Sequence, residues 1–333
     1  MYNLKQTPED FIVTEESTLT FTENGKYTYY ILKKRNMNTV DAISQISKAA
    51  KTPLRFIGFA GNKDRNAITE QKISILNGSR NLEKYSFNNF ELKYLGKGNE
   101  PISLGTNSGN NFEITLRNLE ESDLKKLKSI QYRIISMPNY FGPQRFSKNN
   151  QLVGRAIIKK DFKKAAELIL ENDGNAEQEI KSRLEQNKNN YIEALRTIPL
   201  KTRKMFVHAY QSFLFNKTTK ELIESGFSEN IEIPLIGFGF EIDEIKNKKL
   251  NSILKKIIKE EGINPRDFII SQMPEISSEG ATRKLFANIE NFEKTKAEDD
   301  ELNDGKKKIT VKFFLSKGCY ATVVVEFILG SHA

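Results

Sequence analysis

The chain holds a single cysteine, Cys319, so it can build neither a disulfide framework nor a thiolate zinc site. Histidine is almost as scarce. His208 and His332 are the only two and lie far apart in sequence, which argues against a two-histidine metal site and leaves His208, on a helical stretch, an ordinary packing or polar role. No Gly-x-x-x-x-Gly-Lys-Ser/Thr phosphate loop occurs, and Asn62-Lys63-Asp64 lacks the residue that a guanine-specificity loop places between Lys and Asp. Nucleoside-triphosphatase activity is therefore not expected. Long apolar runs are missing too: the longest, 233–242 and 321–330, fall short of the roughly 20 residues that cross a bilayer. The start, Met1 to Lys5, leads into polar sequence without a signal-peptide pattern. The expectation is a soluble, cytoplasmic protein with no membrane partner and no metal.

What is present is positive charge and length. Lys and Arg number 52 against 43 Asp and Glu, a formal charge of +9. That surplus points to an anionic partner, with RNA or DNA ahead of a membrane because no long basic amphipathic helix accompanies it. A surface charged for solubility would look similar. At 333 residues the chain can bury a large core and accommodates two domains.

Residues 10–15 and 27–33 read as strands, and Thr39 could cap a helix over 40–51 with Val40, Ile43, Ile46 and Ala50 on one face. Strands are expected at 90–95 and 111–116, then a helix over 123–136 with Leu124, Leu127, Ile130 and Ile134 as its stripe. Beyond 158 the pattern turns helical, with segments at 162–171, 176–198, 205–224 and 250–261. Residues 298–308 are a charged, Gly-containing stretch and a candidate linker, after which 309–315 and 321–329 read as a hairpin of two strands. The simplest account is an α+β fold whose sheet is completed by this hairpin, with the helix-rich middle inserted. The boundaries read this way are 1–158 and 297–333 for the split sheet domain and 159–296 for the insert.

Two stretches carry chemistry. In Gly61-Asn62-Lys63-Asp64-Arg65-Asn66-Ala67-Ile68-Thr69-Glu70-Gln71, a carboxylate sits in a loop between two short strands, where catalytic groups commonly lie. The adjacent cations Lys63 and Arg65 favour its charged form. Three charges in a row equally suit a solvated turn. In Met137-Pro138-Asn139-Tyr140-Phe141-Gly142-Pro143-Gln144-Arg145-Phe146, aromatics stand beside an amide and an Arg at neither helix nor strand spacing. Such a set can stack on a base and read its edge, and it can also be a buried aromatic corner.

Together, these two stretches closely resemble the two signature motifs of the TruD family of RNA pseudouridine synthases. Further similarity follows in order: Thr7-Pro8-Glu9-Asp10-Phe11 with Val13 and Glu15; Leu104-Gly105, Gly109-Asn110 and Phe112-x-Ile114-x-Leu116-Arg117; His208-Ala209-Tyr210-Gln211-Ser212 with Phe215-Asn216; and Phe313-Phe314-Leu315 with Lys317-Gly318 and Tyr320-Ala321-Thr322. The resemblance covers nearly the whole chain. It implies a pseudouridine-synthase sheet, mixed or antiparallel, flanked by helices and split by a family-specific α/β insert. It also implies catalysis by Asp64, with Phe11, Asn139, Phe141 and Tyr320 around the target uridine and Lys5 beside the aspartate; Lys63 and Arg65 are motif members. The implied substrate is tRNA, usually uridine 13 near the D-arm. The implied reaction is redox-neutral and needs no cofactor, and a monomer is the simplest assembly. Two departures stand out: Ser147 where the family usually has Gly, and Glu326-Phe327 where it commonly has Arg-Glu. The lysines and arginine at 201, 203, 204, 246, 248 and 249 could grip RNA or simply face solvent. The other reading of the chain is a non-catalytic tRNA-binding chaperone on the same fold.

Overall fold

The computed structural model describes residues 2–171 and 175–330; His332 lies outside the described residues. The chain divides into two compact units, residues 1–137 with 288–333, and residues 138–287. These limits differ from those read from composition, because the strand before Pro138 belongs to the sheet and the helical character sets in only after it. The first unit opens with β1 (Phe11–Glu16), β2 (Tyr27–Arg35), α1 (Thr39–Ala50), β3 (Ile57–Phe59), β4 (Ile68–Leu76), β5 (Phe90–Gly98), β6 (Gly109–Leu119), α2 (Glu121–Ser129) and β7 (Ile135–Pro138). The second holds α3 (Asn150–Ile158), α4 (Phe162–Leu170), α5 (Asn175–Gln186), α6 (Tyr191–Arg196), α7 (Leu200–Glu224), β8 (Glu232–Leu235), α8 (Lys248–Glu261) and β9 (Ala281–Lys284). The chain returns through β10 (Phe286–Lys294), β11 (Glu298–Asp299), β12 (Lys307–Ser316) and α9 (Ala321–Leu329).

The sheet runs β5-β2-β4-β1-β6-β12-β10-β7, with β3 added on β4 and β11 on β12. It is mixed: β1 and β4 are parallel, Ile12 opposite Ile68, while β1–β6, β2–β4 and β6–β12 are antiparallel. The expected α+β class with a mixed sheet and flanking helices is what the chain adopts. One core lies between the sheet and α1, where Ala42, Ile43 and Ile46 pack on Tyr30, Leu32, Ile73 and Ile75. That burial turns alternate residues of β2 and β4 toward the helix, and this register decides which polar side chains reach the Asp64 loop.

Four expectations change. The stretch 321–329 is the helix α9, not a second strand of a hairpin: Val323, Val324, Val325, Ile328 and Leu329 are buried, and Gly330 ends it in the left-handed region at φ 66°. A continuous apolar run fits a buried helix as well as a strand, so periodicity could not separate them. The helix read over 123–136 stops at Ser129, because Lys294 on β10 donates to the carbonyls of Leu127, Lys128 and Ile130 and so takes over the helix's C-terminal acceptors. The supposed linker at 298–308 is anchored structure: Asp300 is buried, and its carboxylate accepts from Arg117 Nη1 at 2.8 Å and from the Asn118 N–H at 2.8 Å. Thr39 does not cap α1. Asn38 occupies that position, and the Thr39 hydroxyl is used elsewhere.

In the second unit the 25-residue α7 is the axis, with Phe206, Val207, Tyr210, Leu214 and Phe215 buried on several sides. α3 packs so closely on it that a Cβ on Gly154 would lie 2.0 Å from the Phe206 carbonyl oxygen. Only glycine permits that approach. Among the described residues, no helix is long and apolar enough to cross a membrane.

Candidate active site

The loop between β3 and β4 is fixed residue by residue. Gln71, on the α1-facing side of β4, donates from Nε2 to the Gly61 carbonyl at 3.1 Å. Its Oε1 accepts from the Thr39 hydroxyl at 3.1 Å, and that hydroxyl accepts the Lys63 N–H at 3.0 Å. The Asn36 N–H bonds the Ala67 carbonyl at 3.1 Å. Lys34 donates its ammonium to the Asp64 carbonyl oxygen at 2.6 Å. Strand, helix start and loop thus share one buried polar network, with Thr39, Gln71 and Lys34 all nearly inaccessible. A loop tied at this many points holds its side chains with little freedom to lose on meeting a substrate.

The Asp64 carboxylate is paired with Lys5, Nζ to Oδ1 at 2.9 Å, and its side chain keeps a third of its surface open. Lys5 stands in the left-handed region at φ 57°, and its ammonium lies 4.0 Å over the Phe11 ring. Phe11 is only 2% exposed and edge-on to Phe112 at 6.0 Å. Its ring therefore backs the lysine. Lys63, next to Asp64 in sequence, turns away: its Nζ meets Glu15 Oε2 at 2.8 Å and Asn110 Oδ1 at 2.9 Å, with both ion-pair partners buried. The cation on the carboxylate is Lys5, and the expected flanking role of Lys63 is not what the side chain performs. Arg65 is exposed and makes no ion pair among the described residues.

Lys34 is a functional candidate that the sequence reading missed. Burial pushes its amine down to about 8, a shift that Asp64 opposes and Lys63 reinforces. A signal was present: Tyr30, Leu32 and Lys34 alternate on one face of β2, so a lysine occupies an apolar register position.

The second motif lies in the second unit and is organised by Arg283 and Asn216. Arg283 donates from Nε to the Asn139 carbonyl at 3.0 Å and also bonds Asn139 Oδ1, while Asn139 Nδ2 donates to the Lys284 carbonyl at 3.0 Å. Phe141 has its N–H on Asn216 Oδ1 at 2.8 Å and its carbonyl on Asn216 Nδ2 at 2.9 Å. The Arg283 guanidinium lies 4.4 Å over the Phe141 ring, and Phe215 meets that ring edge-on at 5.4 Å. Asn139 and Phe141 are 7% and 8% exposed. Nothing in the sequence around Arg283 marked it. Tyr320 is half-buried in the first unit, at the N-terminal end of α9. Of the basic residues assigned to a possible RNA grip, Arg203 is excluded: it is buried, with Nη1 on Glu275 at 2.5 Å and Nε on the Ile198 carbonyl at 3.0 Å. Lys201 and Lys204 are exposed.

The fold is an α+β sheet domain that presents a braced carboxylate, and the comparisons with known proteins supply its family and its class as an enzyme. A family model described as tRNA pseudouridine synthase D (TruD) matches residues 2–184, 170–233 and 227–327. A "Probable tRNA pseudouridine synthase D" of Methanosarcina mazei is 31% identical, covering 97% of this chain and 92% of its own. A "Probable tRNA pseudouridine synthase D 2" of Methanocaldococcus jannaschii is 31% identical over 97% of this chain and 90% of its own. The crystal structure of the putative TruD from Methanosarcina mazei superposes with a TM-score of 0.75 at 28% identity, covering 98% of this chain and 93% of that one. The chain belongs to the tRNA pseudouridine synthase D (TruD) family, a family of isomerases.

Proposed function

We propose that this enzyme isomerises one uridine of tRNA, at position 13 near the D-arm, to pseudouridine, with Asp64 as the catalytic carboxylate acting on a base turned out of its stack. The observation that carries the reading is the Asp64 loop: an accessible carboxylate, ion-paired to Lys5, on a segment braced by Lys34, Thr39 and Gln71. A merely solvated turn has no need of a buried network beneath it.

The reaction breaks the bond from N1 to C1′, turns the uracil, and joins C5 to C1′. The C5 proton leaves and N1 gains one, so product and substrate are isomers and no electrons are exchanged. Asp64 acts either as the nucleophile or as the base that opens the glycal route, and both need its ionised form. Lys5, at 2.9 Å from Oδ1, holds the carboxylate in position. Removing the base from its stack costs a few kcal/mol, and stacking on a protein aromatic returns about 1–3 kcal/mol per base. Tyr320 is the half-buried aromatic assigned that role in the first unit. Phe11 positions Lys5. Asn139 and Phe141, set in place by Arg283 and Asn216, are assigned to the uracil edge and ring. Lys63 acts through the Glu15 pair on the conformation of the loop, and Arg65 offers an exposed charge to the RNA backbone.

The test is pseudouridine mapping on tRNA incubated with wild type and with Asp64→Asn, together with a binding measurement. The expected result is one new pseudouridine with wild type and none with the variant, whose tRNA affinity stays within a few fold. Turnover by Asp64→Asn would overturn the assignment.

A further inference from the structure

Beside the Asp64 loop, β2, β4 and the segment entering β5 line an open-sided cavity of about 430 Å³. That size falls in the roughly 300–1,000 Å³ range of small-ligand sites. One wall is a stack of rings. Phe87 and Phe90 lie 4.3 Å apart, 19° from parallel, and Tyr85 continues the stack at 6.2 Å and 21°. Tyr85 is the open end, 53% exposed. Lys34 is on the same face of β2 as these rings, opposite Phe90 in the register, while Lys33 and Arg35, which also line the cavity, emerge from the other face of the strand. Lys34 lines this cavity, and its ammonium also holds the Asp64 carbonyl oxygen at 2.6 Å. Cavity and carboxylate loop therefore share a wall residue.

We propose that this cavity is a nucleotide subsite, in which a base of the RNA strand next to the target uridine stacks on Tyr85. The proposal rests on Asp64 being the reaction centre, because Lys34 is what joins the two. An exposed ring at the end of a rigid stack accepts another flat π system without reorganising, and any base supplies one. Uridine itself is a poor stacking base, so a neighbouring base held on Tyr85 supplies binding energy that the target cannot, and it holds the strand while the target turns out.

The experiment has two arms. In the first, Tyr85→Ala raises KM for tRNA by about 5- to 100-fold, the range that loss of one stacked base produces, with kcat changed by less than about threefold, and Tyr85→Phe stays close to wild type. In the second, Tyr85→Trp places the chain's only tryptophan at the cavity, and unmodified tRNA quenches its fluorescence, whereas Tyr132→Trp, at an exposed site outside the cavity, is not quenched. Tyr85 is exposed, so folding is not at stake in these variants. A KM for Tyr85→Ala within about twofold of wild type, or an unquenched Tyr85→Trp in the presence of bound tRNA, overturns the subsite. The quenching needs no turnover: a wild type that binds tRNA but makes no pseudouridine would sink the proposed reaction while the fluorescence still decides the stacking site.

Discussion

Lys63 and Glu15 form a buried ion pair at 2.8 Å directly under the loop that presents Asp64. Two residues adjacent in the motif thus do opposite things: one side chain faces the interior and ties the loop to β1, and the next faces outward.

Removing one member of that pair leaves the other charged and buried. Glu15→Ala is expected to cost about 3–5 kcal/mol of stability, read as a lowered urea midpoint. The double replacement Glu15→Leu with Lys63→Met is expected to recover much of that loss, since an apolar pair of similar volume can replace a buried ion pair. If the single variant unfolds at the wild-type midpoint, the pair is not holding the loop.

Lys34 couples stability and activity to pH with opposite signs. Its amine titrates near 8 in the folded protein, below the ordinary 10.5, because burial disfavours the charge. The folded state therefore carries a penalty below about pH 8, and that penalty is relieved as pH rises from about 8 toward 10.5. Over the same interval its hydrogen bond to the Asp64 carbonyl loses its charge assistance. Wild type should gain stability relative to Lys34→Met between pH 8 and 10, while its kcat falls. Lys34→Met should have kcat lowered about tenfold or more, tRNA affinity within about threefold of wild type, and no limb near pH 8. A pH–rate profile of Lys34→Met that still shows the wild-type limb would remove Lys34 from the site.

Asp300 couples the stability of the sheet to acid pH. Burial alone would raise its carboxyl value, but donors from the Asn118 and Leu302 N–H groups, Asn303 and Arg117 outweigh that and hold it down to about 2. The stability it contributes is present above about pH 4 and is lost as pH falls toward 2. Acid unfolding of Asp300→Asn should lack this component, and the variant should be less stable than wild type at pH 7, because the Arg117 charge loses a buried partner. Identical acid profiles would show that the 298–308 segment is not what gives way.

How much of this was legible beforehand depended on where each signal lies. The Asp64 loop, the strands around it, α1, α7 and the split of the sheet by a helical insert were readable, because hydrophobic period and turn residues are local properties of the chain. The helix at 321–329 was not, since an unbroken run of Val, Ile and Phe suits burial in either state, and packing on α2 settles it. The end of α2 depended on Lys294, more than a hundred residues away, and the anchoring of 298–308 on Arg117.

The sequence by itself determined the carboxylate, its loop, the basic balance of the chain and, through two ordered motifs, the family. How the cations divide around Asp64 was decided only by the tertiary structure. Adjacency in sequence pointed to Lys63 and Arg65 and the family resemblance to Lys5, and the pairing of β1, β2 and β4 brings Lys5 to the carboxylate and Lys34 to its carbonyl, and sends Lys63 to Glu15. Strand register fixes the face on which each side chain emerges, and that register is set by burial of the apolar face against α1, a property of the packed sheet and not of any single segment.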